Sequence, residues 1–266
     1  MTPVKHSGKF SSLKSKWAIS RTEVIIFAIT IVVTVCLLLP VVSHHTSHSS
    51  RELCRHGMTQ IGIALENYHS AYGSYPPAFV TNGEEQPLYS WRVPLLPYLD
   101  ENLRYDKFRL NEPWDSAYNA SWSEKNFGVY TCWHHRPQNQ SDYLAVIGEN
   151  TAWRGATPIS KDEITDDLNF TILLVESFGS GIKWGEPRDM IDSQMAEGVN
   201  SESGLGIRSP HPEKGANVLF ASGRVSFLKN QTSPETIRAM LTINGGEEII
   251  EESYGVFRLK TATAGE

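Results

Sequence analysis

Residues 24–42 carry no charge and read VIIFAITIVVTVCLLLPVV. At about 1.5 Å of rise per residue, a helix over this run nearly spans a hydrocarbon core of roughly 30 Å. No other stretch limits the fold so strongly, because an all-round apolar helix must be covered by lipid or by other protein. The run is preceded by Lys5, Lys9, Lys14, Lys16 and Arg21 with no acid before Glu23. By the positive-inside tendency that end stays cytoplasmic and the remainder lies outside. The expectation is a single-pass protein of the inner (cytoplasmic) membrane, contacting the bilayer through residues 23–42.

Further along, the pattern changes. Met58, Ile61, Leu65 and Tyr68, with Leu53 before them, recur at helical spacing, so a stalk helix is expected to continue to Tyr72. Gly73-Ser74-Tyr75-Pro76-Pro77 ends it, since proline cannot continue a helix and restricts the residue before it. Ser90 is a candidate cap for a short helix. Strands are expected at 128–132, 142–148 and 171–176, the last the most apolar and so central. Two more, at 216–221 and 224–228, flank Ser222-Gly223 as a hairpin. Ser233-Pro234-Glu235 opens a last helix. The fold class read from this order is α+β: a long N-terminal transmembrane and stalk helix, then a head with an antiparallel sheet and short helices. Its parts are a basic cytoplasmic tail (1–22), a transmembrane helix (23–43), a stalk helix packing on the head (44–72), a globular extracytoplasmic domain (73–250) and an acidic tail (251–266) with one strand expected at 256–259.

The net charge of −6 speaks against a nucleic-acid partner, whose binding domain would be basic. No nucleophile elbow, phosphate loop, zinc-protease helix or dinucleotide fingerprint is present, and no enzymatic role is expected. Neither a cofactor nor a metal site is expected. His44, His45 and His48 read as a polar spacer, and the adjacent His134 and His135 would point different ways on any regular element. Cys54 and Cys132 form a candidate disulfide, which an exported domain could keep; two buried thiols are the other reading. Trp91, Trp114, Trp133, Trp153 and Trp184 form a candidate aromatic surface for a small ligand or glycan.

Several stretches in order, including ELCRHGMTQIGIALENYHSAYGSYPPAFV, YSWRVPLLPYLDE, NEPWDSAYN, DYLAVIGENTAW and HPEKGANVLFASGRVSFL, resemble the bacterial pilin-like proteins carrying domain of unknown function 1559. The resemblance implies a prepilin-type N-terminal segment and a C-terminal "H-X9-DG" region. It assigns a processing cut between Ala18 and Ile19, a glutamate five residues beyond the cut at Glu23, and a helix kink at Pro40. It implies self-assembly or contact with pilin-type or secretion machinery. Here Ala18 stands where the family usually has glycine, and Arg21 adds a charge after the cut. His211 is followed by ten residues and then Ser222-Gly223, where the motif has nine and Asp-Gly. The role this supports is a pilin-like or pseudopilin-like structural or interaction protein. A tethered binding domain is the alternative.

Overall fold

The computed structural model describes residues 20–260 except 126, 135–138 and 203, with the backbone alone for 38–49. The chain divides into two units, residues 1–46 and 47–266.

In the first unit the start of helix α1 (Arg21–Tyr72) is set by a reciprocal cap. The Ser20 amide donates to Glu23 Oε2 at 2.9 Å, and the Glu23 amide donates to Ser20 Oγ at 3.3 Å. This serine–glutamate box satisfies two amides that a helix start leaves bare. Ala18 and Ile19 lie outside the described residues, as do the side chains of Pro40 and of His44, His45 and His48.

No helix among the described residues is long and apolar enough to cross a membrane. This overturns the transmembrane stalk expected over 23–43 and 44–72, and with it the single-pass inner-membrane placement. Among the described side chains of α1 the uncharged apolar run covers residues 24–37, about 21 Å of helix against a hydrocarbon core of roughly 30 Å.

The second unit is a mixed α/β arrangement of sheets and short helices. Two short strands, β1 (Phe79–Thr81) and β2 (Pro87–Ser90), pair antiparallel. Ser90 therefore closes a strand instead of capping a helix; the 3-10 turn follows at Leu96–Leu99. Helices α2 (Asn102–Lys107) and α3 (Ala120–Ser123) are short. Residues 128–130 form a 3-10 turn, not the expected strand.

The main sheet has β3 (Tyr143–Ile147), β4 (Ile172–Glu176), β5 (Met190–Ile191), β6 (Gly215–Phe220) and β7 (Val225–Lys229), in the order β5-β3-β4-β6-β7. The β3–β4, β4–β6 and β6–β7 pairs are antiparallel, and β5 joins β3 in parallel. The expected all-antiparallel sheet thus carries one parallel edge. β4 is central, as its apolar run implied. Every residue of β4 and β6 is buried, because both sheet faces are covered.

One face meets the 47–72 part of α1 through Met58, Ile61, Ala64 and Leu65, packed in one cluster with Tyr143, Ala145 and Leu219. Gly62 permits the approach: a Cβ there would lie 2.9 Å from Leu219 Cδ1. The buried stripe runs through Cys54, whereas Leu53, expected on it, is exposed. The other face meets α4 (Pro234–Leu241), capped by Ser233 Oγ accepting from the Thr236 amide. Beside α4 lies a hairpin of β8 (Ile249–Ser253) and β9 (Val256–Leu259), which buries Phe257. The stretch after 250, expected as a tail with one strand at 256–259, begins inside an ordered strand pair, and β9 is the expected strand.

Candidate functional site

Two features have chemistry that the packing alone does not use. The first lies in the 1–46 unit. Residues 24–37 are apolar all round the helix, and their large side chains are half or more exposed, from Val35 at 50% to Phe27 at 73%. Thr30 and Thr34 do not interrupt this surface, because their hydroxyls bond back to the carbonyls of Ile26 and Thr30. The segment offers a neighbour nothing but apolar contact. Glu23, at its head, is engaged by its own helix cap.

The second feature lies inside the 47–266 unit. Four segments converge on one buried point. Cys54 comes from α1 and Cys132 from the loop after the 3-10 turn. Glu176 comes from the end of β4, and His211 from the loop before β6. One ligand atom from each lies within 4.8 Å of the others, and all four residues are buried. The two cysteines are not bonded to each other, and their sulfurs stand 2.7 Å apart. His211 Nε2 meets Glu176 Oε1 at 3.1 Å. The other carboxylate oxygen of Glu176 accepts from the Asn217 amide and side chain, at 2.9 and 2.8 Å. His211 Nδ1 is buried with no hydrogen-bond partner.

Local chemistry fixes each donor. The Cys132 amide donates to Asp142 Oδ2 at 2.7 Å, which holds the loop. The Trp133 amide donates to Cys54 Sγ at 3.2 Å. Tyr143 donates its hydroxyl to the Cys54 carbonyl. The His211 amide rests on Ser209 Oγ, which itself donates to the Gly215 carbonyl. His134 lies over the cluster, with Nδ1 3.7 Å from Cys132 Sγ.

The electrostatics split the two thiols. The hydrogen bond with Cys132, helped by His211, outweighs burial and holds the Cys54 thiol down at about 5. The same bond and burial push Cys132 upward. For His211 burial favours the neutral ring, but the contacts with Cys54 and Glu176 prevail and raise it to about 9. One thiolate, one protonated partner and an acid–imidazole pair share a dry pocket. Such a set can close a disulfide or take up a soft divalent cation.

Cys54 and Cys132 do meet, and His211 is buried in the loop before β6. Ser222 and Gly223 turn the β6–β7 hairpin, with Phe220 and Arg224 closing it and Gly223 at φ 83°. The tryptophans do not form a face: Trp91, Trp153 and Trp184 are buried, and Trp133 is half-exposed. Of the polar stretch 183–189, Arg188 pairs with Glu186, but Asp189 turns inward to Arg92. Two surface pockets, one bordered by Asp166, Asp167, Glu247 and Glu248 and the other by Glu149, Asp192, Glu197 and Arg238, include none of the four converging residues. Glu176 is the site residue the sequence did not single out. Inside the apolar run ILLVE it looked like a strand end, and its only signal was an acid closing a central strand.

Comparison with curated proteins and with solved structures finds no match. Residues 50–163, which hold Cys54 and Cys132 and stop before Glu176 and His211, match the family described as protein of unknown function, DUF1559.

Proposed function

We propose that the chain is a structural, self-associating protein: copies join through the apolar helix of residues 24–37, and the 47–266 unit is the displayed domain. The observation that supports this is the exposed apolar surface on every side of that helix. A helix apolar all round is normally buried. A second copy offers the same surface, and one neighbour covers only one side, so the surface suits a bundle of several copies. The prepilin-type reading of Ala18, Ile19 and Glu23, the H-X9-DG reading of His211, Ser222 and Gly223, and contact with pilin-type machinery belong to this proposal. The Glu23-to-Pro40 spacing supports them. The role is architectural and not catalytic.

Sedimentation velocity on the full chain tests it, with Ile29→Glu/Val33→Glu as the comparison. The wild type is expected to form a discrete oligomer and the double variant to be a monomer. Both should keep the same far-UV circular dichroism above the helix start. A monomeric wild type at micromolar concentration overturns the reading. So does a wild type that associates only with phosphatidylethanolamine–phosphatidylglycerol vesicles.

A further inference from the structure

We propose that Cys54, Cys132, Glu176 and His211 bind one divalent cation of the zinc class, which ties α1 to the end of β4 and to the loop before β6. The site lies wholly within the 47–266 unit and does not depend on the assembly role.

The donor set matches zinc. Zinc takes thiolate sulfur, imidazole nitrogen and carboxylate oxygen, with bonds of about 2.3, 2.0 and 2.1 Å in a tetrahedron. The edges of that tetrahedron are roughly 3.3–3.8 Å by simple geometry from those bonds. The four ligand atoms here all lie within 4.8 Å of one another. The Nε2–Oε1 pair at 3.1 Å is already close to such an edge, and the sulfur pair at 2.7 Å must open by about 1 Å to span one.

The Glu176 carboxylate is buried beside two cysteine sulfurs, and a buried anion is costly unless a cation accompanies it. A divalent ion supplies that charge once the thiols ionise. A disulfide would neutralise the sulfurs alone and leave Glu176 and His211 as an isolated buried pair.

His211 Nδ1 is buried without a hydrogen-bond partner, so the polar contacts of the ring are incomplete in the pocket. Asn217 fixes the carboxylate through two bonds, and the Trp133 amide points at Cys54 Sγ. Outer hydrogen bonds of this kind orient the ligands of metal sites. On binding, both thiols become thiolates: each S–H bond still present breaks, two sulfur–metal bonds form, and the protons pass to solvent.

The test uses the full-length chain purified with a phosphine reductant. Elemental analysis is expected to find about one zinc per chain, removable by chelator at low pH. Cobalt(II) added to the stripped protein should give sulfur-to-cobalt charge transfer and the visible bands of a tetrahedral site. Cys132→Ser and His211→Ala should lose both signals. Asn217→Ala should keep the spectrum but bind roughly 10–100-fold more weakly. Should those variants unfold by circular dichroism, the wild-type cobalt titration alone decides. Reduced wild type with no bound zinc and no charge-transfer band overturns the site. So does protein purified without reductant in which peptide mapping finds Cys54 linked to Cys132 and elemental analysis finds no metal. Neither result touches the oligomeric state.

Discussion

The Arg92 side chain joins β2, the start of β3 and the residue before β5. Its guanidinium is fully buried and grips Asp189 through two bonds, at 2.6 and 3.1 Å. The remaining donors reach Ser90 Oγ, Ser141 Oγ and the Tyr143 carbonyl. Asp189 in turn accepts from Trp91 Nε1 and from the Ala145 amide. The net value of such a pair is small, because desolvation opposes the attraction. Removing one partner is different, since it strands the other charge in the core. Asp189→Asn is therefore expected to lose about 3–5 kcal/mol in urea denaturation. A loss under about 1 kcal/mol would mean that Arg92 finds water or another acid. The same logic separates Asp189 from Glu186, three residues earlier. Glu186 pairs with the more exposed Arg188, a contact of the kind that contributes little.

Among the elements, the β8–β9 hairpin depends on a single turn. Gly255 has φ 75°, and a Cβ there would lie 2.1 Å from the Phe227 carbonyl oxygen. The turn approaches β7 this closely because the Lys229 amide donates to the Gly255 carbonyl at 2.8 Å. Gly255→Ala meets backbone and not a flexible side chain, and in a left-handed conformation. It is expected to cost at least about 1–3 kcal/mol, seen as a lower Tm, with faster amide exchange at Phe257 as the hairpin detaches. Unchanged exchange at Phe257 would show that the hairpin docks without this turn. Helix α4 is an element of the other kind, specified locally: serine cap, proline at the first position and an acid in the first turn appear both in the sequence and in the structure. The strand expected at 128–132 failed because its apolar residues face a core reached by a turn. Tyr130 is buried there from a 3-10 conformation, with its hydroxyl donating to the Arg92 carbonyl.

For the molecule as a whole, the core holds tyrosines as well as aliphatics. Burial, with Tyr105 and Tyr68 nearby, pushes Tyr89 up to about 12. Burial also raises Tyr75, Tyr130 and Tyr143. A group whose pKa is higher when folded stabilises the fold below its unfolded pKa, near 10 for tyrosine. That stability is lost as pH climbs through the folded value. Stability should thus fall between about pH 10 and about 12, with tyrosine ionisation measured by ultraviolet absorbance rising together with loss of circular dichroism. Ionisation of all tyrosines near pH 10 with the fold intact would contradict the buried, neutral assignment.

What the sequence determined by itself was whatever depends on neighbours along the chain. The helix period through Met58, Ile61 and Leu65, the apolar run of β4, the β6–β7 hairpin and the α4 cap are all set by spacings of a few residues. Tertiary structure alone decided the rest. Helical spacing put Leu53 on the buried stripe, and only the packing of α1 on the sheet moved the stripe to Cys54. The apolar run reads as a membrane span, but no helix among the described residues is long and apolar enough to be one. Glu176 and His211 stand 35 residues apart, and Cys54 and Cys132 stand 78 apart. No periodicity links such positions, and they meet only because chain segments distant in sequence close over both faces of one sheet.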